Sequence, residues 1–211
     1  MRRWLHISPP WDQRLARRLV RPLARTAVTP NQITTVSLAF GIAGALFLAQ
    51  GGSAVYWGAL FYMLAQFIDH MDGELARMTG QTSVFGHHYD HIAGGIFEFG
   101  LFAGIGIGLG QEVLGGWAPT LGFVAAGAVA ITVAIRLEIS RRFGNDAINQ
   151  PTLLGFEIED TMYLVGPIAW FDALDIFILL AAIGVPVFML VTICDFVNRS
   201  RSVRRQADER A

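Results

Sequence analysis

The segment Asp69–Gly95, DHMDGELARMTGQTSVFGHHYDHIAGG, lies between two apolar runs, and its reading decides the fold. Asp69 and Asp72 close the first run, and Asp90 opens the second. A carboxylate at the centre of a bilayer costs about 2.5–3.5 kcal/mol even on the lenient insertion scale. Three of them so close to apolar helices therefore predict a membrane-surface position with compensation. Asp69 and Asp72 are three residues apart, which puts them on one helix face. The connection Met78–Ser83 is short, so the flanking runs read as a helical hairpin. Its turn end then carries all three carboxylates.

Outward from this hairpin the chain keeps the same character. Of 211 residues, 53% are hydrophobic and only 16% charged, whereas a soluble domain carries about 25% charged residues. The expected fold is an all-α polytopic membrane protein with six transmembrane helices preceded by an amphipathic interfacial helix. A span needs roughly 20 mostly apolar residues, and the runs fall near 32–50, 54–77, 84–110, 119–138, 160–171 and 174–195. The fifth is the shortest, and a start near Leu153 is its alternative. No linker or low-complexity stretch interrupts them, so residues 1–211 read as one membrane domain. It comprises a juxtamembrane segment 1–30, a bundle 31–195 and a basic tail 196–211.

Arginine placement orients the bundle. All 16 basic residues are Arg. Seven precede the first span, Arg77 ends the second, Arg136, Arg141 and Arg142 end the fourth, and five follow the sixth. With six spans, all lie on the side of the two termini, as the positive-inside rule requires of the cytoplasmic face. Five or seven spans would place one cluster outside. The polar, basic N-terminus does not resemble a cleaved secretory signal. Cys194 stands alone, which excludes an intrachain disulfide and a cysteine-based zinc cluster. Localisation in a bacterial inner membrane with both termini cytoplasmic is expected, with no nucleic-acid partner.

In the N-terminal segment Trp11, Leu15, Leu19 and Leu23 recur every four residues, with Arg14, Arg17, Arg18 and Arg21 between them. An apolar stripe beside Arg suits an anionic lipid surface; the plainer reading is a packed helix with a solvated basic face. The TPNQIT stretch from Thr29 opens the first span, with Thr29 or Asn31 as cap and Pro30 at the helix start. Gly100, Gly104 and Gly108 recur at the four-residue spacing that lets helices approach closely in lipid.

Three converging carboxylates cannot all ionise without a counter-charge. Their all-oxygen chemistry suits a hard divalent cation, Mg²⁺ or Mn²⁺. Gly73 and Ala76 leave the adjoining helix face bare, and Arg77 offers a guanidinium to phosphate. Metal, guanidinium and bare helix together read as a site for a phosphorylated ligand. The alternative of ordinary helix-end charges would account for two isolated Asp, but not for this set.

The segment resembles the signature of the CDP-alcohol phosphotransferase family, D-x2-D-G-x2-A-R-x8-G-x3-D-x3-D. Asp69, Asp72, Gly73, Ala76, Arg77, Gly86 and Asp90 match at every spacing. The resemblance extends to the six spans and the N-terminal helix; the last 50 residues match in hydropathy only. It implies transfer of a substituted phosphate from a CDP-linked donor, such as CDP-diacylglycerol, to an alcohol, with release of CMP. It further implies two divalent ions among the motif carboxylates, with Asp69, Asp72 and Asp90 as ligands. Gly73, Ala76 and Gly86 would make room for the nucleotide, Arg77 would support the phosphates, and the protein would be a homodimer.

The signature's last Asp falls at Gly94. In the family that residue is the usual candidate for general base on the acceptor and lies against the second metal. Glycine can do neither. His91 and Glu98 lie three before and four after, on the same helix face. Helix side chains tilt toward the N-terminus, here the carboxylate end. Glu98 is therefore the expected replacement carboxylate and His91 the second choice; Glu98 paired with a polar group elsewhere is the plainer alternative. His87 and His88 read as interfacial residues, or as residues that support the ligands from behind, rather than as ligands themselves. Arg136 and Arg141 are candidates to hold an acceptor phosphate, as similar Arg residues do in the inositol-phosphate branch of the family, or simply anchor the bundle. A second function reading, prompted by Gly94, is a degenerate member that binds metal and CDP-lipid as a scaffold or regulator. A cation transporter fits less well, because the carboxylates sit at one end and no broken helix pair is evident.

Overall fold

The computed structural model describes residues 11–110, 113–144, 152–153, 156–157 and 162–208. Seven α-helices are described: α1 (Trp11–Val20), α2 (Pro30–Gln50), α3 (Ala54–Thr79), α4 (Val84–Leu109), α5 (Ala118–Phe143), α6 (Val165–Trp170) and α7 (Leu174–Asp208). A two-residue antiparallel pair, Thr152–Leu153 with Phe156–Glu157, lies between α5 and α6.

Local chemistry accounts for the helix limits. At the start of α2 the Thr29 hydroxyl accepts from the Gln32 amide, and Gln32 Oε1 accepts from the Thr29 amide at 2.9 Å. This reciprocal pair satisfies two orphan donors, and Pro30 follows in the first turn. Ser83 caps α4 by accepting from the Gly86 amide at 2.9 Å. Between α3 and α4, Gly80 adopts φ 70°, the left-handed conformation that ends a helix without a Cβ penalty.

Helix α2 packs against both α3 and α4, which scarcely touch one another; α5 packs on α4, and α7 on α5. The expected hairpin is thus present but splayed, with α2 wedged between its arms. Glycine permits the closest approaches. A Cβ on Gly104 would come within 2.7 Å of the Ala45 carbonyl oxygen on α2, and one on Gly106 within 2.7 Å of the Ala118 oxygen on α5. The glycine spacing therefore serves packing within the chain. The main core gathers Tyr62, Phe97, Leu101, Phe102, Ile105 and Ile178 from α3, α4 and α7.

Four helices are long and apolar enough to cross a membrane: Pro30–Gln50, Val84–Leu109, Ala118–Phe143 and Leu174–Ser202. At 26 residues α3 is long enough too, about 39 Å, but its last turns carry Asp69, Asp72, Glu74 and Arg77. The segment expected as a fifth span, 160–171, holds the six-residue α6, which rises only about 9 Å. It runs antiparallel to α3 nonetheless. Tyr163 meets His70, a Cβ on Gly166 would collide with Met63, and Asp172 accepts from the Tyr56 hydroxyl at 2.8 Å. The last helix continues past the expected limit at residue 195, through the start of the basic tail, to Asp208. Arg199 reaches back one turn to Asp195 at 2.6 Å, and no breaker intervenes.

Helix α1 packs on α3 through buried Ala16 and Val20, while Leu15 and Leu19 remain exposed. Within α1 the packing face is therefore Ala16 and Val20 rather than Leu15 and Leu19, while Leu23, just past the helix, packs on the cluster of Val20, Ile33 and Leu75.

Candidate functional site

The site stands where α2, α3, α4 and α5 converge at the motif end. Asp69 and Asp72 lie on the last turns of α3 and Asp90 on the second turn of α4. Each offers a carboxylate oxygen, and these atoms all lie within 4.8 Å of one another. The third partner is α2, which sequence reasoning left out of the site. Thr34 Oγ1 donates to Asp72 Oδ2, and Ser37 Oγ donates to Asp69 Oδ1 at 3.1 Å. Thr34, Ser37 and Asp72 are all buried. Hydroxyls that fix carboxylates from behind are a common device for orienting metal ligands. The residues fit a hard divalent cation: the donors are all oxygen, they converge, and two are held in place by hydrogen bonds. The signal was in the sequence, since Thr34 and Ser37 sit three apart at the head of an apolar run.

Two cavities flank the triad. One, of about 250 Å³, is bounded by Asp69, Asp72 and Asp90 and continues along α4 past His91, Gly94 and Glu98 to Arg136 on α5. The other, of about 470 Å³, is bounded by Asn31, Thr34, Ala76, Ser83, Gly86 and His87. Asp72, Gly73, Arg77 and Asp90 border both. The small residues Gly73, Ala76 and Gly86 thus line a common space. A Cβ at Gly86 would come within 3.1 Å of both Asn31 Oδ1 and Ser83 Oγ.

Arg77 is half-exposed and donates to Glu74 at 2.8 Å, which holds its guanidinium at the border between the cavities. At Gly94 a Cβ would meet nothing within 4 Å, so the missing side chain leaves open space. Glu98 and His91 line that same cavity. His91 Nδ1 lies 3.5 Å from Asp90 Oδ2, and its ring packs on His87, which pairs with Ser140 at 3.2 Å.

The two candidate arginines separate. Arg136 lines the first cavity, with its guanidinium over the Phe188 ring. Arg141 lines neither cavity and donates to Glu138 at 2.9 Å, a carboxylate it shares with Arg142. Sequence reasoning also missed Gln66, one turn before Asp69 in the wall of the first cavity. Its hydropathic signal was a lone amide inside an apolar run. A further acidic group in the sequence, Glu157, Glu159 and Asp160 before the expected fifth span, could pair with the arginines of α5 or accept hydrogen bonds from a polyol, but its side chains lie outside the described residues.

Two relatives share part of this sequence. A phosphatidylinositol phosphate synthase of Streptomyces avermitilis is 33% identical over 85 residues, 40% of this chain and 34% of that protein. A phosphatidylinositol phosphate synthase of Corynebacterium glutamicum is 35% identical over 91 residues, 41% of each chain. The chain therefore spans at most about two-fifths of the length of the curated relatives it matches. The family model for CDP-alcohol phosphatidyltransferase matches residues 27–193, taking in all of α2 to α6, the carboxylate triad and more than half of α7. On that match, the chain belongs to the CDP-alcohol phosphatidyltransferase family.

Proposed function

We propose that this protein transfers a phosphatidyl group from a CDP-linked donor, such as CDP-diacylglycerol, to an alcohol and releases CMP. The observation that carries the reading is one carboxylate triad of which two members, Asp72 and Asp90, border two cavities of different character. The bare, glycine-lined cavity would take the nucleotide of the donor. The cavity with Glu98, His91 and Arg136 would take the acceptor. Their common border at Asp72, Gly73, Arg77 and Asp90 is where donor and acceptor would meet.

In the reaction the acceptor oxygen bonds to the phosphatidyl phosphorus and the bond from that phosphorus to the CMP oxygen breaks. Mg²⁺ or Mn²⁺ held by Asp69, Asp72 and Asp90 would supply charge stabilisation for the phosphates and the departing CMP. Thr34 and Ser37 hold two of the three carboxylates in position. Arg77 would offer its outward N–H groups to the phosphates. Glu98 would accept the acceptor's proton in place of the signature Asp absent at Gly94, with His91 the next candidate. Position along α4 supports Glu98, because it lines the same cavity one turn beyond Gly94 and helix side chains tilt toward the N-terminus.

Arg136 favours a phosphorylated acceptor, as a guanidinium matches phosphate geometry. The names of the relatives make a phosphorylated inositol the first acceptor to try. We further propose six crossings, the fifth being the expected segment 160–171, whose described part runs antiparallel to α3, a reading supported by the contacts at Tyr163, Gly166 and the adjoining Asp172. Both termini would then be cytoplasmic in a bacterial inner membrane, the exposed Leu15 and Leu19 would rest on lipid, and a homodimer is the expected assembly.

The test is divalent-ion-dependent CMP release from CDP-diacylglycerol by the purified protein across a panel of alcohols. Release with one acceptor supports the reading and names the lipid. The open space at Gly94 favours one rival, a binding protein without turnover. No release from the native chain, but release from Gly94→Asp, would establish that rival.

A further inference from the structure

The cavity that holds the triad extends beyond it, one turn farther from the motif end, to Gln66 on α3 and Glu98 on α4. Gln66 is 3% exposed, and among the described residues its Oε1 is buried without a hydrogen-bond partner. A buried carbonyl oxygen left unpaired is expensive, because it has lost water and gained nothing. A leucine of similar size at this position would avoid the cost, yet the chain keeps an amide in the middle of an otherwise apolar stretch of α3. Such a group calls for a ligand.

The space beside it has a specific cause. Gly94 lies between Asp90 and Glu98 on the cavity wall, and a Cβ there would touch nothing within 4 Å. The missing side chain leaves the triad and the Gln66 level in one continuous cavity. The terminal amide torsion of Gln is soft and broad, so the oxygen turns to meet a donor in that space. Oε1 only accepts hydrogen bonds. Its partner must therefore bring an O–H or N–H, which a fully ionised phosphate or carboxylate does not offer. Phe97 and Val133 give the cavity apolar walls at this level, which exclude bulk water and favour a carbon framework carrying hydroxyls.

We propose that Gln66 is an acceptor-binding residue: its amide oxygen takes a hydrogen bond from a hydroxyl of a polyhydroxylated acceptor, other than the hydroxyl that reacts. The proposal rests on the assignment of this cavity to the acceptor. Within that assignment it divides recognition between two ends. The guanidinium of Arg136 takes the acceptor's phosphate, and Gln66 reads a hydroxyl on its ring or chain. A simple mono-alcohol would leave Oε1 unpaired and bind poorly for that reason.

The experiment compares native protein with Gln66→Leu, and with Gln66→Asn should the leucine variant fail to fold. Acceptor and donor KM are read from CMP release with CDP-diacylglycerol and inositol 1-phosphate or glycerol 3-phosphate. Thermal stabilisation by each acceptor alone is read in parallel. The expected result is an acceptor KM raised about tenfold, a donor KM unchanged within about twofold, and an unliganded melting temperature no lower than native for Gln66→Leu. Unchanged acceptor KM, or equal rises for donor and acceptor, would overturn the proposal. If no CMP is released but acceptor stabilises native protein and not Gln66→Leu, the transfer reading fails while the subsite stands. If no acceptor stabilises the native chain or turns over, the subsite is refuted.

Discussion

The sharpest consequence of this site is that a carboxylate at position 94 should substitute for the one at position 98. The perturbation is a pair of changes, Glu98→Gln alone and Glu98→Gln with Gly94→Asp. Sterically the second change is free, because a Cβ at 94 meets nothing within 4 Å. Electrostatically it is not. The new carboxylate stands four residues from Asp90, about 6 Å along the helix. At an effective dielectric near 20, two unit charges at that distance repel by about 3 kcal/mol. Without divalent ion the double variant should therefore melt below Glu98→Gln, and added Mn²⁺ should close that gap. A general base contributes about 10²–10⁴ in rate, so Glu98→Gln should lose that much CMP release. The added Asp should recover at least tenfold of it. The assay is Mn²⁺-dependent CMP release beside melting curves with and without the ion. Full activity in Glu98→Gln would refute the role of Glu98. A folded double variant that gains neither rate nor ion-dependent stability would refute the placement of Gly94 beside the reacting groups.

Other outcomes follow from the same geometry. Thr34→Val or Ser37→Ala removes a hydroxyl that fixes a triad carboxylate. Each should raise the Mn²⁺ concentration needed for half-maximal thermal stabilisation by roughly 10–100-fold. Gly104→Ala drives a methyl toward the Ala45 carbonyl and should cost about 1–3 kcal/mol in detergent unfolding. By contrast Gly127→Ala, with nothing within 4 Å of the added carbon, should be neutral or gain up to about 1 kcal/mol from helix propensity. Arg136→Ala should raise acceptor KM about tenfold or more through loss of a charge-assisted hydrogen bond. Arg141→Ala should leave acceptor KM within about twofold, since Arg141 lies outside both cavities and engages Glu138, where exposed pairs contribute little.

Much of this protein is legible along the chain because the membrane restricts the choices. Backbone groups in lipid must bond internally, so long apolar runs become helices, and α2, α4, α5 and α7 appear where the runs lie. Helix periodicity brings Asp69 and Asp72 to one face, and a short turn returns the chain to Asp90. Thr29, Ser83 and Gly80 mark helix ends by local chemistry that needs no tertiary partner.

Tertiary structure decided what depends on helix neighbours. Nothing local in the sequence says that α2 separates α3 from α4, because ridge-and-groove fit between glycine faces sets that order. That wedge brings Thr34 and Ser37 to the triad. It is also the packing of α5 that distinguishes Arg136, in the cavity, from Arg141, one and a half turns away on the surface. Likewise the length of α6, too short to look like a span, becomes intelligible only from its three contacts along α3. The sequence alone determined that three carboxylates, a guanidinium and a bare helix face would meet at one end of the helices, since spacing within and across one hairpin suffices for that. Whether the gap at Gly94 is filled or open is a property of the space between helices, and only their packing made it a cavity that reaches Gln66 and Glu98.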